Sequence, residues 1–263
     1  MTHIARRLVR LFMLALLLGV AQPAAAQSVL RDSETELLFR DISKPLIEAA
    51  KLDPASVKVV LIQDPEINAF VATGQVVYIH TGLIAAADNA NQLQAVIAHE
   101  LGHVAGGHSI RIGEGTGAAS KISILSLVLA AAAAAAGAGD AAMGVLMAGQ
   151  QAAMGSYLGF SRAQESSADL AGASYLSKAG ISGQGSLEFF KKLANQEYRL
   201  AIPQEDSYAR THPLSSERIA SLEQIYRADP AWKRPTDPAL EARFQRVKAK
   251  LLGYIDPKRA TVV

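Results

Sequence analysis

The spacing of apolar residues divides the first half of the chain into a helix, a strand and a hairpin. Residues 28–52 carry apolar side chains at helical spacing, which predicts a helix with Pro45 as a candidate break. Residues 57–62 form a short β-branched run, and two further apolar runs lie on either side of a Thr73-Gly74 turn. The pattern therefore predicts one strand followed by a β-hairpin.

A centrally packed helix is expected after this hairpin. Asn91 and Gln94 have the three-residue spacing of a capping box, which favours a helix start at this point. Gly106-Gly107 favours its end. Between them runs an apolar stripe at helical spacing, formed by Leu93, Val96, Ile97, Leu101 and Val104. Such a stripe is typical of a helix that faces the core.

Residues 116–160 differ in composition from the rest of the chain. From Ile122 to Gly139 the 18 residues include no charge, and a second apolar, glycine-rich run follows Asp140. This pattern predicts a helical hairpin. Its length approaches that of a membrane span, but alanine and glycine contribute little transfer free energy. We therefore expect this insert to pack against the domain or to contact a membrane surface, with spanning as the alternative.

The remaining apolar pattern is helical. A capping box at 161–164 predicts a helix that ends at Gly180, and further helices are expected over 181–200, 214–227 and 240–252. The predicted fold class is α+β. It is mainly helical, with a small antiparallel sheet or hairpin beside the central helix.

The first 26 residues are typical of a secretory signal peptide. Three arginines precede an apolar run, and Ala24-Ala25-Ala26 offers small residues for cleavage. The general secretory route is favoured over a twin-arginine signal, and an uncleaved anchor is the alternative. The expected organisation is a signal peptide at 1–26, one domain at 27–228, and a polar linker with a terminal helix at 229–263.

Charge and cysteine content narrow the class of function. Without the signal peptide the chain carries 23 basic and 24 acidic residues, so no basic excess supports a nucleic acid as partner. The sequence contains no cysteine, which excludes disulfides, a thiolate zinc site and a cysteine-linked lipid anchor. Any metal site must use histidine and carboxylate ligands.

The segment His99-Glu100-Leu101-Gly102-His103 carries the candidate chemistry. Its two histidines are four residues apart, so on a helix they share one face with Glu100 beside them. Two neutral imidazoles bind zinc, and a third protein ligand with a water completes a tetrahedral site. The carboxylate next to the first histidine can accept the proton of that water. We expect one zinc ion per chain, in preference to a chance match on a solvated helix.

Glu165 and Asp169 form a second pair four residues apart on a later helix. Glu165 is the natural third ligand, and Asp169 can accept a hydrogen bond from a ligand imidazole and fix its tautomer. A solvated helix carboxylate is the alternative interpretation of Glu165. His108 follows His103 by five residues, which places it about 140° from the ligand face if the helix continues. It is therefore expected to be a polar residue at the helix end.

These pairs, followed by Thr211-His212-Pro213 and Arg218, resemble the gluzincin zinc metallopeptidases of the HtpX, BepA and Oma1 type. The resemblance covers about 30–227 and is nearest to the exported, periplasmic BepA branch. It implies the same zinc ligands and base, and it adds His212 and Arg218 as catalytic residues that face the metal. It also implies that substrate binds along an edge strand of the hairpin, through Asn68, Val76, Val77 and Tyr78.

His212 and the end of the chain remain open at this level. A loop histidine before proline has no function by its dipeptide alone. The resemblance gives His212 two roles, which are stabilising the oxyanion and replacing the catalytic water as a fourth ligand. Members of the BepA branch often continue into tetratricopeptide repeats, whereas this sequence ends at Val263. A role in partner binding is therefore not carried over from them.

The expected function is a zinc-dependent endopeptidase of the bacterial cell envelope. It would be periplasmic, would act on misfolded or unassembled envelope proteins, and could contact the membrane surface through 116–160. The alternative is a non-catalytic periplasmic holdase with a structural zinc site. Glu100 argues against that alternative, because a structural site needs no base and is usually closed by four ligands, largely cysteines.

Overall fold

A computed structural model of the chain describes residues 28–72, 74–200, 212–213 and 215–255. The expected signal peptide and the residues Thr73 and Thr211 lie outside the described part. The strands are β1 (Ser28–Leu30), β2 (Lys58–Gln63), β3 (Ala69–Ala72) and β4 (Val76–His80). The helices are α1 (Ser33–Ala49), α2 (Thr81–Ala86), α3 (Ala90–Ala105), α4 (His108–Ala135), α5 (Gly139–Ala179), α6 (Gln184–Leu200), α7 (Ser216–Ala228) and α8 (Pro238–Ile255). The α+β class with mainly helical content is confirmed.

The first helix begins later than predicted and is not split. Ser28–Leu30 forms a strand, and α1 starts after Asp32, whose carboxylate accepts a hydrogen bond from the backbone N–H of Thr35 at 2.9 Å. Pro45 lies inside α1. It removes the bond to the carbonyl of Asp41, and because Asp41 is exposed, water can hydrate that carbonyl.

Two predicted capping boxes are wrong. The N-cap of α3 is Asn89, whose side chain accepts from the N–H of Gln92 at 2.9 Å. Asn91 is instead buried in the first turn, where its amide donates to the carbonyl of Ser182 at 2.8 Å. The second box, at 161–164, opens no helix because α5 passes through it unbroken from Gly139 to Ala179. At α3 the burial of Asn91 outweighs the local capping signal, and at 161–164 the helix that is already formed continues through it.

The sheet is mixed, with strand order β1-β2-β4-β3. β3 and β4 form the predicted antiparallel hairpin, with Ala69 opposite Ile79, but β4 also pairs with β2 in parallel. The expectation of an open edge along Val76–Ile79 is therefore wrong, since β4 is hydrogen-bonded on both sides. Within the described residues β3 pairs only with β4 and β1 only with β2, so β3 is the strand of the hairpin whose outer edge is open.

One hydrophobic core connects the sheet to the helices around it. Large side chains that are less than 2% exposed come from α1, α2, α3, α5, α6 and α8, and they include Phe39, Leu93, Phe189 and Phe244. The terminal helix thus packs into the same core as the helices before 229. This packing holds α3 in the centre of the molecule, with both faces covered.

The helices α3 and α5 approach each other closely because glycines stand at the contact. A Cβ at Gly102 would lie 2.6 Å from the carbonyl oxygen of Ala168 and 2.8 Å from its Cα. One at Gly172 would lie 3.1 Å from the backbone of Ala98 and His99. Real Cβ atoms are excluded at the first of these positions, so the two backbones are in direct contact there.

The predicted helical hairpin is confirmed, and it extends further at its second helix than the sequence indicated. α4 and α5 pack along a seam of small residues that includes Gly115, Ser126, Ala130, Gly149 and Ala153. Large apolar side chains on the outer faces are 39–82% exposed, among them Ile110, Leu125, Val128, Met147 and Leu158. In the described part of the chain, α4 alone has the length and composition of a membrane span, and only 6% of its most apolar window is buried.

The contact of Gly102 with Ala168 gives a first prediction. Gly102→Ala should destabilise the protein by about 1–3 kcal/mol, because the added methyl group must push two packed helices apart. Gly113→Ala on α4 is the matched control, since nothing lies within 4 Å of its Cβ position. The control should be neutral or slightly stabilising through helix propensity. Urea unfolding measures both, and equal effects of the two substitutions would contradict the close contact.

Candidate metal centre

The central helix α3 places His99, Glu100 and His103 together and buries all three. Their residual exposures are 4%, 0% and 8%. The Nε2 atoms of the two imidazoles lie 3.1 Å apart. At this distance the two nitrogens can share one proton or, when both are unprotonated, can bind one cation between them, so the spacing is compatible with a metal site.

Glu165 lies opposite these histidines on α5 and is 4% exposed. Its Oε1 is 3.3 Å from Nε2 of His103, and its Oε2 is 3.4 Å from Nε2 of His99. The contact of α3 with α5 brings the two pairs together, because Glu165 and Asp169 lie on either side of Ala168 on α5.

His212 completes the group. Its Nδ1 is 3.3 Å from Nε2 of His99 and 3.1 Å from Oε1 of Glu165. The ligand atoms of His99, His103, Glu165 and His212 all lie within 4.8 Å of one another. In this structure the loop histidine therefore occupies the place of a fourth ligand.

These separations match a tetrahedral ion of the size of zinc. With metal–ligand bonds of about 2.0–2.1 Å, the ligand atoms of a tetrahedron lie about 3.3 Å apart. Five of the nitrogen–nitrogen and nitrogen–oxygen contacts within the group are 3.1–3.4 Å long, and the whole set of ligand atoms lies within 4.8 Å. A set of three imidazoles and one carboxylate also suits zinc better than calcium or magnesium, which prefer oxygen ligands. The donor set and its geometry thus fit a zinc ion.

Glu100 differs from the other site residues in its hydrogen bonding. Its carboxylate is fully buried, and among the described residues neither oxygen has a hydrogen-bond partner. The Nε2 of His212 lies 3.4 Å from Oε1 without forming a bond of good geometry. A buried carboxylate without partners is costly, which fits a group whose partner is a bound water or substrate.

Asp169 and Arg218 stabilise the ligands from behind. Oδ1 of Asp169 lies 3.0 Å from Nδ1 of His99, as the sequence predicted for a group that fixes the tautomer. Nε and Nη2 of Arg218 donate to Asp169 at 2.6 and 2.8 Å, and Nη1 lies 3.1 Å from Oε2 of Glu165. Arg218 was expected to face the metal as a catalytic residue. It binds the carboxylates instead, so the geometry gives it a positioning role.

The pKa shifts show a pocket that favours positive charge. Burial lowers the pKa of His99, but Asp169 and Glu165 outweigh burial and raise it to about 10. Burial raises the pKa of Glu165, but the three histidines hold it well below its usual range. Burial likewise raises the pKa of Asp169, but Arg218 and His99 outweigh burial and lower it. A divalent cation that binds here replaces the proton of His99.

His108 is the residue that sequence reasoning missed. α3 ends at Ala105 and Gly107 has a φ of 61°, so the helical extrapolation to position 108 does not hold. His108 is 5% exposed, and its Nδ1 lies 2.9 Å from Nδ1 of His103. Burial and the charge of His103 lower its pKa to about 4. The Gly106-Gly107 pair was the available signal, because it allows the chain to reverse.

A groove beside the centre is formed by the edge of the sheet and the base of the hairpin. Its volume is about 370 Å³, and besides the site residues it is lined by Phe70, Val71, Ile112, Tyr157 and Phe160. The predicted substrate residues Val76, Val77 and Tyr78 do not line it, and Val77 is fully buried. Asn68 is 6% exposed, and its carbonyl accepts from the N–H of His80. The strand at the groove is β3, one strand away from the one expected.

The sequence of this chain is similar to those of known proteins. Peptidase family M48 matches residues 32–226. The beta-barrel assembly-enhancing protease of Escherichia coli is 31% identical over 201 residues, 76% of this chain and 39% of that protein. The metalloprotease LoiP of Escherichia coli is 32% identical over 67% of this chain and 64% of its own. The mitochondrial metalloendopeptidase OMA1 of Schizosaccharomyces pombe is 28% identical over 72% of this chain and 52% of its own.

The chain spans about two fifths of the beta-barrel assembly-enhancing protease that it matches. The family match, by contrast, runs from the start of α1 to the end of α7 and includes all four candidate ligands. The histidine pair, the carboxylate pair and the buried cluster that they form thus agree with the comparison, and the chain belongs to peptidase family M48.

Proposed function

We propose that this chain is a zinc-dependent endopeptidase of the bacterial cell envelope that cleaves misfolded or unassembled envelope proteins. The observation that supports it best is the buried, unpartnered carboxylate of Glu100 beside a tetrahedral set of ligands. A structural metal site has no use for such a group. Relatives with metalloprotease names support the class of reaction.

In the mechanism, His99, His103 and Glu165 would hold the metal. The chemistry that a bound zinc ion would supply is to acidify a water molecule and to polarise the scissile carbonyl. The carboxylate of Glu100 accepts a proton from the attacking water and returns it to the leaving amine. The carboxylate of Asp169 lies 3.0 Å from Nδ1 of His99, where its charge favours a proton on that nitrogen and leaves Nε2 for the metal, and Arg218 holds Asp169 in place.

Substrate is proposed to bind as an added strand on β3. Asn68 and Phe70 have their backbone groups directed at β4, because His80 donates to the carbonyl of Asn68 and pairing alternates along the strand. Ala69 and Val71 therefore direct theirs at the groove. Main-chain hydrogen bonds bind extended chains with little side-chain selectivity, which suits unfolded clients. A folded protein presents few free strands, so it would be spared.

Glu100→Gln tests the function directly. The substitution keeps the volume of the side chain and should keep the metal, but Gln cannot accept the proton of the water. Cleavage of an unfolded protein such as casein should fall by about 10²- to 10⁴-fold. Zinc content and thermal unfolding of the same sample are the controls. Near-normal turnover with zinc bound would remove Glu100 from the mechanism.

His212 is proposed to be a switch that closes the site. Its Nδ1 occupies the fourth position of the tetrahedron, and its Nε2 lies 3.2 Å from the carbonyl of Ala69 on the open edge of β3. One side chain thus covers both the coordination position that a catalytic metal leaves open and the edge that substrate would use. Substrate that binds along β3 must displace His212 from Ala69.

His212→Ala should therefore raise basal cleavage while the metal stays bound by three ligands. A closed state favoured by about 1.4 kcal/mol corresponds to a rise of about tenfold. The double variant with Glu100→Gln is the control, because its activity should vanish if the extra cleavage comes from this site. A fall of about 10²- to 10³-fold would instead make His212 the oxyanion stabiliser. An unchanged rate would leave it with neither role.

A holdase with structural zinc is the second candidate, and the four-ligand geometry is the observation that favours it. The two functions differ in the same experiment. A structural site that loses His212 should lose affinity for zinc and gain no cleavage. The burial of an unpartnered Glu100 favours the enzyme.

The hairpin is proposed to contact the membrane surface. Asp140 is the sole charge between Ile122 and Ser161, and apolar side chains cover the outer faces of both helices. The signal-like pattern at 1–26 supports export to the periplasm. The name of one relative refers to β-barrel assembly, and such barrels are built in outer membranes. These observations support an enzyme that acts next to a bilayer without spanning it.

Binding to vesicles tests this contact. The chain from residue 27 should sediment with neutral phosphatidylcholine vesicles, with little dependence on salt because the hairpin is almost uncharged. Replacing Leu125 and Leu129 by Gln should abolish sedimentation, whereas Leu37→Gln on α1, also an exposed leucine, should not. Carbonate should release the protein from cell membranes. Retention in the carbonate-washed pellet would indicate a span.

A further inference from the structure

Each histidine of the motif has one nitrogen at the ligand cluster and one behind it. For His99 the rear nitrogen, Nδ1, lies 3.0 Å from Asp169. For His103 the rear nitrogen, also Nδ1, lies 2.9 Å from Nδ1 of His108. Asp169 has a role in the proposed mechanism, whereas His108 has none.

We propose that His108 is a positioning residue that fixes the tautomer of His103 for metal binding. A hydrogen bond between two Nδ1 atoms needs one donor and one acceptor. If His108 donated, neutral His103 would carry its proton on Nε2, which faces His99 and could not bind a cation. His103 must therefore donate from Nδ1, and His108 accepts. The inference rests on the proposed metal site, and it adds to that site a residue that holds one of its ligands.

The local backbone is built to bring this ring to His103. Gly106 ends α3, and Gly107 adopts the left-handed conformation that reverses the chain direction. A Cβ at Gly106 would overlap the imidazole of His108, so glycine is required for the ring to fold back. His108 is then the first residue of α4, and it is 5% exposed despite its position at a helix start.

The charge balance of the site explains why this partner is an imidazole. Three buried carboxylates, Glu100, Glu165 and Asp169, are balanced by Arg218 and a divalent cation. A second carboxylate behind His103 would leave an uncompensated negative charge in the interior, which is costly. A neutral imidazole accepts the same hydrogen bond without adding charge. The two ligands are thus positioned by different groups for one electrostatic reason.

Zinc affinity of the metal-free protein, measured against a chromophoric chelator, tests the proposal without any substrate. His108→Leu keeps the bulk but removes the acceptor, and it should weaken zinc binding by about 10- to 100-fold, as expected for loss of a group that orients a ligand. His108→Asn places an oxygen near the position of Nδ1 and should restore most of the affinity. Asp169→Asn is the comparison variant for His99. His80→Leu is the matched control, a buried histidine outside the cluster.

The outcomes are distinct. Weak zinc binding by His108→Leu together with recovered binding by His108→Asn supports the proposal. Unchanged zinc affinity in His108→Leu, or an equal loss in both variants, overturns it, because the ring would then only fill space. If the variants do not fold, the ¹⁵N resonances of the zinc-loaded wild type decide: a proton on Nδ1 of His103 supports the inference and a proton on Nδ1 of His108 contradicts it. Wild-type protein that binds no zinc would instead refute the proposed function.

Discussion

The direct backbone contact between α3 and α5 is the constraint on which the site depends. The helix α3 carries His99 and His103 and the helix α5 carries Glu165, so neither helix can hold a tetrahedral ion alone. Because Gly102 lies against Ala168 and Gly172 against Ala98, the helix axes are closer than larger side chains would allow. Glu165 lies three residues before Ala168 and Asp169 lies one residue after it, so the contact fixes their height relative to His99 and His103. Small residues at the crossing are thus as much a part of the centre as the ligands.

Close packing alone would not make the site stable, because it buries several charges. The guanidinium of Arg218 offsets part of this negative charge by binding both carboxylates of α5. It also donates to the carbonyl of Pro213 at 2.6 Å. One cation therefore links the ligand helix to the loop that carries His212. Removing it would take the guanidinium partner from Asp169 and Glu165 and a hydrogen bond from the loop. A residue outside the four candidate ligands thus supports both Glu165 and the loop that carries His212.

The sequence was sufficient where the chemistry repeats at helical spacing, and insufficient where the backbone changes direction. The four-residue pairs at His99 and Glu165 placed four site residues on two helices without any tertiary information. His108 could not be placed, since its contact with His103 depends on the left-handed Gly107. The open edge was assigned to β4 instead of β3, because the pairing of β4 with β2 joins residues about 18 apart and no local pattern encodes it. Long-range pairing and backbone reversal are the steps that local spacing does not report.

The two helices of the hairpin, α4 and α5, also carry residues of the candidate metal centre. α4 begins at His108, behind His103, and α5 runs without a break from the tip of the hairpin through Glu165 and Asp169. At about 1.5 Å per residue, the 26 residues from Gly139 to Glu165 carry the helix roughly 39 Å from the tip to the ligand. The same continuity explains how an insert with no ligand of its own can lie between the two metal-binding motifs without separating them.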